Sequence, residues 1–169
     1  MFRYQHNSYY IGTARFNVQT KQENTNYLMD HQLNGCIYGF PLPMTNQIPI
    51  HAKVFVIEML NLHKRSSQSS GYITGIGLVE NKLLYEKNAI YSNREYNRCI
   101  YNGKFVLKRD DMSYQQLSIV KRLDWLLFHG KSHMKRSTWI TLLPEDVCER
   151  VPIKQLLIDI INTHAADAG

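Results

Sequence analysis

The feature that most constrains the fold is a run of strand-like segments in the middle of the chain with no helical segment between them. Residues 53–58 and 72–80 are rich in apolar and β-branched side chains, and a Ser-rich connection separates them. Residues 89–109 contain further short segments of the same kind. Adjacent parallel strands need a long connection that is usually a helix, so consecutive strand segments without helices argue against a parallel α/β fold. The same segments predict a long β-hairpin followed by shorter strands.

Helix signals lie on either side of this run. Asn17 or Thr20 is placed to cap a helix that reaches toward Gln32, and Ser113 with Gln116 forms a capping-box pattern. Further strands are predicted at residues 9–16, 36–40 and 137–143, and a last helix after Pro152. This order predicts one domain over residues 1–169, of the α+β class, with a mixed curled sheet or pseudo-barrel flanked by helices and a C-terminal helix.

Charge and composition indicate which classes of binding partner the protein is suited to. The net charge is +6, the pI is about 9.2 and there are 11 tyrosines, which favours a polyanionic partner, and nucleic acid fits best. The three cysteines form no CxxC pair, so we expect no zinc site, no disulfide framework and no cofactor. The chain begins without the apolar core of a signal peptide and has no apolar run of about 20 residues. We therefore expect a soluble intracellular protein of the cytoplasm or nucleus, without a membrane partner.

One candidate contact surface lies on the helix after Ser113. At 100° per residue, Lys121, Arg122 and Trp125 point away from the apolar side of that helix. Trp125 is placed to stack on a base while the two cations hold phosphates. The alternative is that another element covers Trp125.

A basic segment follows this helix and leads to the next predicted strand, which contains Trp139. It carries the candidate phosphate contacts Lys131, His133, Lys135 and Arg136. The alternative is a solvated loop without a ligand.

A second aromatic and basic cluster contains Arg94, Tyr96 and Arg98. Asn93 and Asn97 add amide groups that can pair with base edges. The alternative is the ordinary surface of a hairpin.

Several of these segments resemble the PUA-like superfamily, and within it the EVE and YTH branches. Residues 9–12 (YYIG) look like the first aromatic strand of an EVE domain, and residues 36–39 (CIYG) are similar to its short second strand. Residues 75–79 (GIGLV) resemble its "GxGxV" strand. The resemblance covers residues 9–143, which leaves residues 144–163 as a C-terminal helical extension. It departs from the family in the Ser-rich connection and the long last helix.

This resemblance implies a pseudo-barrel with a pocket for one flipped, often modified, base. The aromatic residues that would form the pocket are Tyr38, Phe40, Trp125 and Trp139. The related ASCH branch contains small ribonucleases and amidohydrolases, and it would give Lys21, Thr25 and Glu80 polar roles near the same pocket.

The sequence therefore predicts a nucleic-acid-binding domain that recognises a base, modified or plain, in an aromatic pocket, with basic loops on the phosphate backbone. No catalytic motif supports an enzyme. Two alternatives remain open: a protein-interaction or structural module that forms a homo-oligomer, and an ASCH-like ribonuclease or amidohydrolase.

Overall fold

The computed structural model of the protein describes residues 9–62, 70–86, 88–129 and 139–167. The strands within these ranges are β1 (Tyr9–Phe16), β2 (Cys36–Phe40), β3 (Lys53–Leu62), β4 (Ser70–Glu80), β5 (Cys99–Gly103), β6 (Phe105–Lys108) and β7 (Thr141–Leu142). The α-helices are α1 (Val18–Asp30), α2 (Tyr114–Phe128), α3 (Glu145–Arg150) and α4 (Ile153–Asp167). A short 3₁₀ helix, Arg94–Asn97, precedes β5.

The strands form a five-stranded sheet in the order β6-β4-β3-β1-β7 and a two-stranded sheet of β2 and β5. β1 pairs with β3 in parallel, whereas the other pairs are antiparallel. The predicted α+β class with a mixed sheet and a C-terminal helix is confirmed. Over the described ranges the sheet stays open between its edge strands β6 and β7, so it does not close into a barrel.

The central hairpin forms as its sequence predicts. β3 and β4 pair antiparallel from Lys53 opposite Glu80 to Leu62 opposite Ser70, with a register shift after Glu58. Gly103 then marks a change of sheet, because β5 pairs with β2 while β6 pairs with β4. The chain therefore passes from one sheet to the other at Lys104, between β5 and β6.

Helix starts follow the predicted caps. The Asn17 side chain accepts a hydrogen bond from the Thr20 amide at 2.8 Å, and Ser113 with Gln116 closes a capping box on α2. The expected strand at 137–143 is shorter than predicted, since only Thr141–Leu142 pairs and 137–138 lie outside the described residues. α3 was not predicted.

The two faces of the large sheet bury different cores. Odd-numbered residues of β3, including Phe55 and Ile57, pack against α2, α3 and α4, and we call this side the helical face. Even-numbered residues, including Val54 and Val56, pack against the β2–β5 sheet and α1, which we call the β2–β5 face. The continuous apolar run of β3 is thus explained by burial on both sides. Among the helices that the structure describes, none has both the length and the apolar character to cross a bilayer.

Candidate nucleic-acid interface

The outer surface of α2 carries exposed aromatic and basic side chains. Trp125 is 66% exposed and Tyr114 is 90% exposed, while Lys121 and Arg122 are also exposed. The opposite side of the helix is buried, and Leu123 on that side lies in the core of the helical face. The predicted orientation of this helix is confirmed, and the alternative that another element covers Trp125 is wrong.

The indole of Trp125 is held in place by the residue that caps the end of its helix. It stacks on the His129 ring with ring centroids 5.0 Å apart and an interplanar angle of 24°. Arg122 donates to the Arg150 carbonyl oxygen at 2.9 Å, which ties α2 to the end of α3. The stack orients the indole, and a preorganised aromatic loses less entropy when a ligand stacks on it.

α2 itself is fixed to β4 by a partly buried ion pair. Arg109 contacts the Asp124 carboxylate at 2.9 Å and donates to the Ile73 carbonyl oxygen. Asp124 also accepts a hydrogen bond from the Ile73 amide at 2.7 Å. The exposed surface of α2 therefore has a defined position relative to the sheet.

Part of the predicted interface lies outside the described residues, and Trp139 lies within them. Lys131, His133, Lys135 and Arg136 lie outside the described residues and only follow α2 in sequence. Trp139 is 39% exposed and directly precedes Ile140, which is buried on the β2–β5 face.

The second predicted cluster lies beside a small cleft on the β2–β5 face. Phe40 and Tyr96 line this cleft, together with Arg15, Phe16, Thr20, Gly39 and Tyr91. Its volume is about 20 Å³, which is room for a water molecule. Tyr91 and Tyr96 meet edge to face with ring centroids 6.2 Å apart. A Cβ on Gly39 would run into the Tyr96 carbonyl oxygen, so this glycine lets the 3₁₀ helix lie against β2.

Arg15 lines the cleft between Ala14 and Phe16 of β1, and it pairs with Met59 of the helical face. Among the described residues its buried Nε has no hydrogen-bond partner, and burial lowers the pKa of its guanidinium to about 10. Arg94 and Arg98 are exposed nearby in sequence, on and after the 3₁₀ helix.

The two asparagines of this cluster are used by the fold rather than left for a ligand. The Asn97 side chain accepts from the amides of Ile90 and Tyr91 and donates to the Tyr91 carbonyl oxygen. Asn93 accepts from the Glu95 amide as the cap of the 3₁₀ helix. These contacts also explain why residues 89–91 are not a strand: their amides bond to a side chain instead of a neighbouring strand.

Tyr38 is a core residue. It is fully buried, and its hydroxyl donates to Glu58 Oε1 at 2.7 Å, while burial raises its pKa well above the usual value. Glu58 Oε2 also accepts from Lys21 and from Thr74, each at 3.0 Å. We call Glu58, Tyr38, Lys21 and Thr74 the buried polar cluster. A base cannot reach Tyr38 in this arrangement.

The predicted aromatic pocket is therefore not assembled. Tyr38 and Phe40 pack in the core of the β2–β5 face, whereas Trp125 projects from α2 on the other side of the sheet. Trp125 cannot share one base with the other two, because a whole sheet separates them. The structure divides the predicted site into an open surface on α2 and a closed cleft at Phe40 and Tyr96.

The polar residues of the ASCH-like alternative are also dispersed. Lys21 pairs with Glu58, while Glu80 lies near His51 Nδ1 at 3.0 Å on the surface. Glu80 is opposite Lys53, five residues along β3 from Glu58, which is roughly 17 Å in a strand. Thr25 lies half-buried on α1, one turn after Lys21. Within the described residues no three metal-ligating side chains gather.

Two polar residues that lie next to predicted site residues, Glu58 and Arg15, were not identified from the sequence. Glu58 stands at the end of an apolar strand run, and a carboxylate in such a run is the signal that it needs buried partners. Arg15 lies in a strand whose neighbours are apolar and aromatic, which is the same kind of signal.

Comparison of the chain with protein-family models, with curated proteins and with solved structures gives no match.

Proposed function

We propose that the protein binds single-stranded nucleic acid on the outer surface of α2. The observation that carries the proposal is the exposure of Trp125, which lies beside two exposed cations on a helix whose opposite side is fully sealed. Covering an exposed indole removes apolar surface from water, which is favourable, so such a side chain often marks a binding site. A nucleobase fits, because every base has a face that stacks on an aromatic ring.

The chemistry of the surface favours an unpaired strand over a duplex. In a duplex the base faces are covered by stacking, so an indole can stack only on an unpaired or extruded base. Lys121 supplies a mobile charge for a phosphate. Arg122 has several guanidinium donors and uses one of them on Arg150, so others remain for a phosphate oxygen.

The basic segment after α2 extends this proposal. Lys131, His133, Lys135 and Arg136 follow His129 closely in sequence, and we propose them as further phosphate contacts. The overall charge of +6 supports attraction of a polyanion to the protein as a whole.

A second candidate places one base in the cleft at Phe40 and Tyr96, as a PUA-like reader would. The observation that favours it is the group of four aromatic rings that line the cleft, namely Phe16, Phe40, Tyr91 and Tyr96. The cleft holds about 20 Å³, whereas ligand sites generally offer about 300 Å³ or more. A base would enter only after the 3₁₀ helix that carries Tyr96 moves outward, so this candidate requires a conformational change.

The decisive experiment uses the tryptophans. The chain has two, so a Trp139→Phe variant leaves Trp125 as the single fluorescent indole. Short single-stranded DNA and RNA should quench its fluorescence, and higher salt should weaken the binding. A Trp125→Ala variant, followed by anisotropy of a labelled strand, should lose about 1–3 kcal/mol of binding free energy.

Matched variants separate the alternatives. Lys121→Gln should weaken oligonucleotide binding, whereas Lys108→Gln, at an exposed lysine on β6, should leave it unchanged. Tyr96→Ala should weaken oligonucleotide binding only if the cleft is the binding site. Its control is Tyr85→Ala, at a tyrosine that is 94% exposed. Absence of salt-sensitive binding to every strand would contradict the proposal.

The interaction module is the outcome that such an absence would favour. Trp125 would then be covered by a protein, including a second copy of this chain. Sedimentation of the wild type and of Trp125→Ala at equal concentration would reveal a homo-oligomer that depends on this surface.

A further inference from the structure

A wide groove opens at the end of the large sheet where β3 begins and β4 ends, and residues from both faces line it. Cys36 and Val79 belong to the β2–β5 face, whereas Leu78 packs on the helical face, where Lys53 Nζ lies 5.9 Å from the centre of the Tyr9 ring. The volume of the groove is about 780 Å³, within the range of small-molecule sites. It lies where the connection from α1 to β2 meets the connection from β5 to β6 and the last residues of β4. The groove is lined by Leu33, Asn34, Gly35, Cys36, Lys53, Leu78, Val79, Glu80, Asn102, Gly103 and Lys104.

The rim of the groove is positively charged. Lys53 and Lys104 are both exposed, and the one carboxylate among the lining residues, Glu80, has His51 Nδ1 at 3.0 Å. Asn34 and Asn102 add exposed amide groups to the rim. Two ammonium groups and two amides around one opening favour an anionic group there.

The floor of the groove is apolar and built largely from main chain. A Cβ on Gly35 would run into the Gly103 carbonyl oxygen, and a Cβ on Gly103 would run into that of Leu78. These glycines therefore let three main-chain segments lie in close layers. Burial raises the pKa of the Cys36 thiol to about 12, so this part of the lining is uncharged near neutral pH.

We infer that this groove binds a small amphipathic anion, namely a planar apolar ring that carries a phosphate or a carboxylate. The ring would lie on the floor beside Leu78, and the anionic group would lie between Lys53 and Lys104. The inference is independent of oligonucleotide binding on α2, because none of the residues that line the groove belongs to α2.

Calorimetric titration of the protein with defined probes tests this inference. AMP and 2-naphthoate represent the phosphate and carboxylate forms, and binding by one or both identifies the anionic group. Adenosine and inorganic phosphate each lack one half of the chemistry and should bind at least tenfold more weakly than AMP. Octanoate carries a carboxylate on a flexible chain, so binding as tight as that of 2-naphthoate would overturn the assignment of a ring.

Variants at the rim and floor locate the site. Lys53→Gln with Lys104→Gln should weaken probe binding at least tenfold, and Asn34→Trp should block it by filling the groove from an exposed position. Lys121→Gln is the matched control on α2 and should leave probe binding unchanged while weakening oligonucleotide binding. Failure of both anionic probes to bind, or binding that is unchanged in the double lysine variant, would overturn the inference.

Discussion

The two faces of the large sheet are stabilised in different ways. On the helical face, the contacts of β3 with α2 and α4 are made by side chains such as Phe55, Leu123 and Leu156, each 0% exposed. On the β2–β5 face the core also encloses the carboxylate of Glu58 and the amide of Asn24, which donates to the Ile37 carbonyl oxygen and to Tyr91. One face depends mainly on apolar area, whereas the other also depends on satisfied polar groups.

This difference bears on where ligands can act. An apolar core tolerates no opening without losing dispersion and hydrophobic contact, so the helical face offers its outer surface, at Trp125. The β2–β5 face holds hydrogen-bonded groups that can exchange partners with a ligand, and it contains the cleft at Phe40 and Tyr96. The first face suits a preformed surface, and the second suits a recess.

The largest expected loss of stability comes from a substitution in the apolar core of the helical face. Leu123→Ala removes a fully buried side chain between α2 and the sheet, so it should lower the free energy of unfolding by about 2–5 kcal/mol. Urea denaturation measures this change. Leu126→Ala, at a half-buried leucine of the same helix, is the control and should cost less. Equal losses at the two positions would contradict the core assignment of α2.

The next effect tests the buried polar cluster. Glu58→Gln leaves the hydroxyl of Tyr38 and the ammonium of Lys21 without their charged acceptor, so the free energy of unfolding should fall by about 1–3 kcal/mol. A double-mutant cycle with Lys21→Met should give a coupling of about 0.5–2 kcal/mol. The coupling is kept modest because the Lys21 side chain is 25% exposed and water screens it. Strictly additive losses would show that the ion pair contributes nothing.

The effect that is smallest near neutral pH appears at alkaline pH and compares the two faces directly. Burial raises the pKa of Cys36 from 9.0 to about 12 on the β2–β5 face, and that of Cys148 to about 11 on the helical face. Because the folded pKa exceeds the unfolded one, this stabilisation is complete below pH 9 and is lost as the pH rises toward 12 or 11. Each thiol should contribute a loss of about 1.4 kcal/mol per pH unit in that window.

Urea denaturation between pH 8 and 10.5 measures this loss. Cys36→Ala and Cys148→Ala should each make the free energy of unfolding less dependent on pH above 9. Tyr38 and Tyr91, whose pKa values are also raised by burial, add to the loss above pH 10 on the β2–β5 face. A pH dependence identical in wild type and Cys36→Ala would contradict the burial of that thiol.

Local sequence signals predicted most of the elements. The caps at Asn17 and Ser113, the continuous apolar run of β3 and the periodicity of α2 each depend on near neighbours, and each prediction is confirmed. The exposure of Lys121 and Trp125 follows from the same periodicity. Whether these residues bind nucleic acid stays a prediction.

Local signals do not predict which residues that are distant in sequence come together in the folded protein. Tyr38 and Trp125 are both aromatic residues near basic segments, yet the sheet puts them on opposite sides. Asn97 resembles a base-reading amide in sequence, and only the folded chain shows that it bonds to Ile90 and Tyr91. Partners distant in sequence, such as Lys21 and Glu58, are decided by topology rather than by local pattern.

The parallel pairing of β1 has a consequence for how the molecule forms during synthesis. β1 pairs with β3 on one side and with Thr141 and Leu142 of β7 on the other, so β1 leaves the ribosome well before one of its two neighbours. Thr13 and Thr141 are 128 positions apart, and contacts between residues so distant in sequence slow folding. Until residue 142 emerges, one edge of β1 stays open to other strands, which makes nascent chains of this protein prone to aggregation.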